Sequence, residues 1–443
     1  MARPRSMEST LTRTSSLKNE ENPVTMYSSQ FTDKSASMKA SRSLYMKVVA
    51  GGTLAMTIVM FCVFSIYWGA LWKIPAHNLQ GWVVDFDGST VGNAVVQGLV
   101  SSSSKVTWTE RPSSKFSGPE GVANLVVDEK TWVVVVVNSN ATTALHYALS
   151  SVNSSYDGSE AITVYVVEAR NENAYRSLIR PSVQTTLAAI SQTFAQSFLR
   201  QVGSSSSNAL ASISTTAPQI LTEPISYTID NLRPFDIPVA SAITFVGLIY
   251  VLVLSFFIVN FCAAARELSG LEKALTTGSL IRVRIASSFV AYFTLSLFYS
   301  LLSRAFQVNF SRVLGPAGFL VFWMANFVGM LAVGLALEAM MTLMTLRFVA
   351  FFMIFWIIVN VSVCFMPIDV LPHIYRYGYA FPFYNLSCAV RTIVFGTKNQ
   401  LEMQFGILIA WTAVSMITIP LFQWLMRRKA VAQWRTRETG VKA

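Results

Sequence analysis

The chain has 443 residues, of which 53% are hydrophobic and only 13% charged; its net charge is +11 and its mean hydropathy +0.47. Soluble domains carry about twice that share of charge, so this composition excludes an ordinary soluble protein and indicates a polytopic membrane protein. The positive surplus is not a nucleic-acid footprint, because residues 73–238 hold 10 basic and 13 acidic residues and the excess therefore lies beside the apolar runs.

Residues 1–47 are rich in Ser, Thr, Lys and Arg, with eight basic and four acidic residues. They read as a disordered, basic cytoplasmic tail. The first apolar run follows, and residues 48–72 are predicted to be transmembrane helix 1. The run is longer than a signal-peptide core and has no small-residue cleavage site before Trp72-Lys73, so it reads as a retained anchor.

Residues 73–238 are too long for a loop and too polar for the bilayer. Strands are predicted at Gly81–Asp87, Lys105–Trp108, Thr131–Val137 and Ala161–Glu168. Helices are predicted at Val91–Val100, Gly118–Asp128, Asn140–Leu149 and Pro181–Val202. Alternation of the two gives an α/β domain. The strand at Val133–Val137 is apolar on both faces and is placed at the centre of the sheet. The Ser/Thr-rich stretch Gly203–Pro224 is expected to be irregular. Asn140 and Asn153 open acceptor sequons for N-glycosylation.

Five more apolar runs fill residues 239–426, near 239–265, 285–303, 316–338, 348–366 and 405–426. A span needs about 20 apolar residues. The fold class is therefore a polytopic α-helical membrane protein with six transmembrane helices in a one-plus-five layout and an α/β extracellular domain between helices 1 and 2. The loop after the second run, from Arg266 to Arg284, is charged and carries a short helix near Leu271. Residues 427–443 form a second basic tail. The inner segments carry 19 basic residues and the short outer loops five. The positive-inside rule then puts both termini in the cytosol and the large domain outside.

Signs of catalysis are missing. The sequence has no GxxxxGK[ST], no HExxH and no GxSxG, and His77, His146 and His373 lie far apart along the chain. No enzyme, cofactor or metal site is expected. The four cysteines suggest no disulfide framework. Glu338 and Arg347 are the ionisable residues nearest the spans, both at the inner edge, and read as a local ion pair or interfacial anchors and not as a proton relay. The aromatic block Tyr375–Tyr384 reads as an interfacial belt that fixes the last span.

The segment Pro367–Lys398 contains Pro382-Phe383-Tyr384-Asn385 and then Arg391-Thr392-Ile393-Val394-Phe395-Gly396. This block resembles ABC-2-type permeases, and most closely the fungal nitrosoguanidine-resistance membrane proteins, a DUF3533-like family. Asp85-Phe86-Asp87, Val91–Val95, Trp108 and the Val-rich strand after Trp132 look like the outer domain of YhgE/Pip-type relatives. The resemblance implies a plasma-membrane protein associated with resistance to toxic small molecules, by export or by membrane lipid organisation. It marks Pro382, Tyr384, Asn385, Arg391, Phe395 and Gly396 as motif residues. It also marks Arg266, Glu267, Leu271, Glu272 and Lys273 as a cytosolic coupling loop for a separate ATPase subunit. The implied partners are the lipid bilayer, a second copy in a homodimer, or that ATPase. The alternatives are a non-transporting organiser of lipid asymmetry and a ligand-binding surface module.

Overall fold

The computed structural model describes residues 28–441 apart from 206 and 345. The disorder expected for residues 1–27 lies outside the described residues. The chain forms two compact units, Met1–Phe61 and Cys62–Ala443.

In the first unit, helix α1 spans Ala36–Val59, and the Ser35 side chain caps it by accepting from the Met38 N–H. The expected tail up to residue 47 is thus cut short: Ser35 supplies a cap, and neither Pro nor Gly occurs between Ser35 and Gly51. A π-helical segment, Met60–Phe64, leads to α2, Ser65–Leu71. The apolar run, and with it the candidate span, extends over Ala36–Leu71.

The second unit, which starts at Cys62 and includes α2, continues with a five-stranded sheet in the order β2-β1-β3-β4-β5. The strands are β1 (Leu79–Asp85), β2 (Val106–Pro112), β3 (Val133–Val137), β4 (Ile162–Val166) and β5 (Tyr227–Asn231). Three helices connect the first four: α3 (Thr90–Val100), α4 (Pro119–Val127) and α5 (Ala141–Ser151). β1 pairs in parallel with both β2 and β3. Val83, Val133 and Val135 pack with Val91, Val95 and Leu99 of α3 on one face. Val84, Val134 and Val136 pack with Val122 and Val126 of α4 on the other. Period-2 alternation along two-sided strands demands this arrangement. All five valines of β3 are buried, as its central place requires.

β4 runs antiparallel to β3, and β5 runs parallel to β4. That reversal delivers the segment after β4 to the edge where β1 and β3 begin. A helical stretch follows from Glu172, through a π-helical segment at Tyr175–Ile179, into α6, Arg180–Ser205. Pro181, where the predicted helix begins, is the second residue of α6 and so lies in its first turn, directly after the π segment. The expected irregular stretch is also helical, at Ser207–Thr216 and Gln219–Thr222. Ile213, Ala217 and Ile220 are buried at helical spacing, a stripe that Ser/Thr-rich composition conceals. β5 alternates apolar and polar residues at Tyr227, Thr228, Ile229 and Asp230, but is absent from the sequence prediction.

The helices that follow include α7 (Gly247–Leu268), α8 (Leu271–Ala274), α9 (Thr277–Ala305), α10 (Gly318–Leu343), α11 (Leu346–Val361), α12 (Pro382–Phe395) and α13 (Leu401–Val441). Among the described residues five segments are long and apolar enough to cross a membrane: Ala36–Leu71, Pro238–Leu268, Thr277–Ala305, Ser311–Leu343 and Leu401–Trp434. The sixth expected span is α11, whose 16 residues rise only about 24 Å against a hydrocarbon core of about 30 Å. α12 lies in what the sequence suggests is an outer loop, and nearly all its residues are buried. α13 continues past Met426, so the basic tail is helical as far as Val441.

α10 belongs to the most buried of the five long apolar segments. A Cβ at Gly329 would meet the Leu386 side chain at 2.5 Å, and one at Gly334 would meet the Tyr292 hydroxyl. Tyr292 is itself fully buried and donates to the Ser255 carbonyl. Gly334→Ala should therefore overpack this crossing and destabilise by about 1–3 kcal/mol. The expected readout is a lower thermal midpoint of the detergent-solubilised protein, with Gly51→Ala, which meets nothing within 4 Å, unchanged.

Candidate functional site: the junction of sheet and bundle

Arg391 lies on α12 and is 4% exposed. Its Nη1 donates to the Glu172 carboxylate at 2.5 Å and to the Ala169 carbonyl at 2.9 Å. Glu172 is held by the turn after β4, where the Asn171 side chain caps the helix by accepting from the Ala174 N–H. The antiparallel course of β4 is what carries this turn to the bundle. Burial acts to raise the Glu172 carboxyl, but the charge and hydrogen bonding of Arg391 outweigh it, and the group ends below its ordinary value of 4.5. Asn171 and Asn173 both donate to the Phe365 carbonyl, and Arg233, just after β5, donates from Nε to the Gly396 carbonyl at 2.9 Å.

A second set of contacts runs beside the first. The Trp132 Nε1 donates to Asp369 at 3.1 Å, and the Tyr379 hydroxyl donates to the same carboxylate at 3.0 Å. The Tyr379 phenol is pushed up to about 12, first by burial and then by Asp369, so it stays a donor at neutral pH. The Arg170 guanidinium lies 3.4 Å from the centre of the Trp132 ring and donates to the Thr131 carbonyl. It also approaches Glu129 and Asp369 at 3.7 and 3.6 Å.

These side chains border a cavity of about 470 Å³. His77 and His373, remote in sequence, meet on its wall with ring centres 4.4 Å apart. Sequence spacing kept these two apart; folding pairs them. They find no third partner, since no group of three or more His, Cys, Asp or Glu suited to a metal occurs among the described residues. The cavity offers mixed charge and aromatic faces. It has no nucleophile hydrogen-bonded to a base and thus no catalytic constellation of the acyl-transfer kind.

The motif residues fall around the same junction. Pro382, Asn385, Arg391 and Phe395 are buried, and Tyr384 lies half-buried against Tyr379. Asn385 donates to the Tyr379 and Phe381 carbonyls, which makes it a structural amide. Gly396 closes α12 at φ +71, where a side chain is strained. The aromatic block is less an exposed belt than an inward-bonded knot: Tyr375 donates to the Ile66 carbonyl and Tyr377 to that of Val359. It does hold the last span, through the Trp411 Nε1 donating to the Ala380 carbonyl. Sequence reading missed Trp132, Arg170, Glu172 and Asp369 as junction residues, because their partners lie about 200 residues away.

The coupling-loop residues gather elsewhere. α8 occupies the expected position, after Gly270 at φ +69. Arg266 pairs with Glu338, and Arg284 joins them. Glu338 thus has an ion pair as expected, but with two arginines of other helices; the side chain of Arg347 lies outside the described residues. Asn140 is exposed and Asn153 half-buried, both at the ends of α5.

Removing one partner of the junction pair strands a buried charge. Glu172→Gln should cost about 3–5 kcal/mol, while Arg391→Met with Glu172→Leu should restore most of the loss. Because the folded-state pKa of Glu172 is depressed, the pair's stabilisation holds above the ordinary carboxyl range and is lost as pH falls below 4.5 through the lowered value. Thermal midpoints measured across acid pH should show that loss in the native protein and not in the double variant. A Glu172→Gln protein as stable as the native one at pH 7 would remove the pair from this role.

Among curated proteins, an uncharacterized endoplasmic reticulum membrane protein of Saccharomyces cerevisiae is 27% identical over 395 residues, covering 82% of this chain and 77% of the relative. No solved structure matches. The family described as protein of unknown function (DUF3533) matches residues 53–417. With most of its length matched, from the first apolar run into the last, this multi-pass membrane protein belongs to the DUF3533 family.

Proposed function

We propose that the chain is a non-enzymatic membrane protein that organises lipids at the bilayer surface and carries no solute through its bundle. The observation behind this reading is where its charge lies. Among the described residues, ion pairs occur at the sheet junction and where α7, α9 and α10 converge on Glu338. Between them α10 is closely packed, with Gly329 and Gly334 filled by Leu386 and Tyr292. A proton relay needs ionisable groups through the middle, and a solute path needs an open one. A protein that engages headgroups or partners at its two faces does not.

The name of the yeast relative supports a home in the endoplasmic reticulum membrane, in place of the plasma membrane that the resemblance implies. The charge bias supports cytosolic termini and a lumenal sheet domain. Export with a separate ATPase is the second reading. It is favoured by α8, a short helix in the loop where such a partner would dock.

Reconstitution separates the two. Vesicles holding the purified protein should show no ATP-dependent efflux of a fluorescent toxic compound, with or without co-purified partners. Cells lacking the gene should show altered exposure of labelled lipids. ATP-dependent efflux would replace the proposal with the export reading. Orientation has its own check: an endoglycosidase H mobility shift that disappears in Asn140→Gln with Asn153→Gln is expected for a lumenal domain. A protease-sensitive domain in intact microsomes would reverse the topology.

A further inference from the structure

A second cavity, of about 630 Å³, lies far from the sheet junction, between the ends of α7, α9, α10 and α13. Its wall includes Arg266, Arg284, Arg427 and Lys273, with Glu267 and Glu272 as its acidic members. Behind the wall sits Glu338, fully buried.

The arginines are not equivalent. Every nitrogen of Arg284 has an acceptor: Nε donates to Glu338 Oε1 at 2.6 Å, Nη1 to Gln423, and Nη2 to the Glu338 carbonyl and the Thr342 hydroxyl. Arg427 donates to the Thr277 hydroxyl and to the Glu272 and Leu275 carbonyls, which ties the α8 loop to α13. Arg266 is 6% exposed, yet only its Nη2 finds an acceptor, the shared Glu338 Oε1 at 3.1 Å. Its Nε and Nη1 make no hydrogen bond. Glu272 stands 4.0 Å from that Nε, too far to accept, and its side chain is half exposed.

Two buried guanidinium groups against one buried carboxylate leave one positive charge without an inner partner. Two N–H edges of a buried guanidinium without acceptors are costly. An oxyanion with several acceptor oxygens meets both needs, and a guanidinium fork matches phosphate geometry. Met341, Met344 and Met426 supply the apolar side of the same cavity, which suits what a phosphate is attached to.

We infer that this cavity binds a phosphate group through the free edge of Arg266, with Lys273 at the rim, and that Glu272 is the internal competitor for the same edge. The phosphate comes either from a lipid headgroup or from a free anion in the adjoining water. The site is independent of the sheet junction, and its failure would leave the lipid-organising proposal standing.

The test uses the full chain in nanodiscs of phosphatidylcholine alone, of phosphatidylcholine with phosphatidic acid, and of phosphatidylcholine with inorganic phosphate in the buffer. The readouts are the thermal midpoint and the phosphatidic acid retained in native mass spectrometry. A rise with phosphatidic acid alone assigns the lipid source, and a rise with inorganic phosphate as well assigns the free anion. Arg266→Met should weaken binding about tenfold or more, as expected for lost charge-assisted bonds. Glu272→Gln, at a half-exposed position of α8, should fold normally and tighten binding several-fold. No rise in either arm, or a rise kept in Arg266→Met, overturns the site. Should Arg266→Met fail to fold, Glu272→Gln decides, because unchanged affinity there excludes Arg266 as the seat.

Discussion

Arg391 is buried on a helix with one carboxylate in reach, and that carboxylate belongs to the sheet domain. The Arg391–Glu172 contact is therefore the place where two parts of the chain, more than 200 residues apart, must agree. A buried ion pair adds little net stability over a well-packed apolar pair, since desolvation offsets most of the attraction. What it does is make wrong dockings costly. A sheet shifted by one residue would leave both charges buried and unpaired. The antiparallel β4 makes the right docking available: had β4 run with β3, the turn holding Glu172 would emerge at the opposite edge of the sheet. Trp132, Arg170 and Asp369 then fasten the neighbouring edge, and one apolar core runs without a break from the sheet into the bundle.

The same logic governs Glu338. It is the fully buried carboxylate of α10, and it draws Arg266 from α7 and Arg284 from α9 onto one oxygen. Three helices are registered by one acid. Because two guanidinium groups share it, the cluster is over-supplied with positive charge, and Arg266 is left with an open edge. The Arg391–Glu172 pair is balanced, one charge against one; the Glu338 cluster sets two guanidinium groups against one carboxylate beside its cavity. That difference, more than the volume of either cavity, separates a structural lock from a binding site.

Much of the fold was legible because its signals are local. The valines of β3, the stripe Val91–Val95–Leu99 and the long apolar runs each follow a period that one segment specifies by itself. The cap at Ser35 was equally local and was passed over because composition suggested a tail. β5 was legible too, in the alternation of Tyr227, Thr228, Ile229 and Asp230, and was passed over because it follows a Ser/Thr-rich stretch. Of the candidate site, Arg391 and Gly396 stood out through a motif, whereas Glu172 and Asp369 look like any polar residue until their partners are known. His77 and His373 illustrate the limit most plainly: a ring contact of 4.4 Å spans almost 300 positions of sequence.

The short helix α11 ends before the apolar run that contains it does. Its apolar residues continue past Val361, so the sequence suggests a sixth crossing, but the backbone stops. The stop is supported by side chains. Tyr377 donates to the Val359 carbonyl, and the Cys364 thiol lies 3.2 Å from the Asn360 carbonyl, so these carbonyls have partners where the helix ends. The Asn360 side chain turns the other way and accepts from the Phe383 N–H at the start of α12. Non-helical backbone is tolerated next to lipid only where its polar groups are met inside the protein. Tyr377, Asn360 and the buried turns between them meet that condition. The chain can therefore leave one helix and begin another within its own interior, and this brings α12, with Arg391, under the sheet.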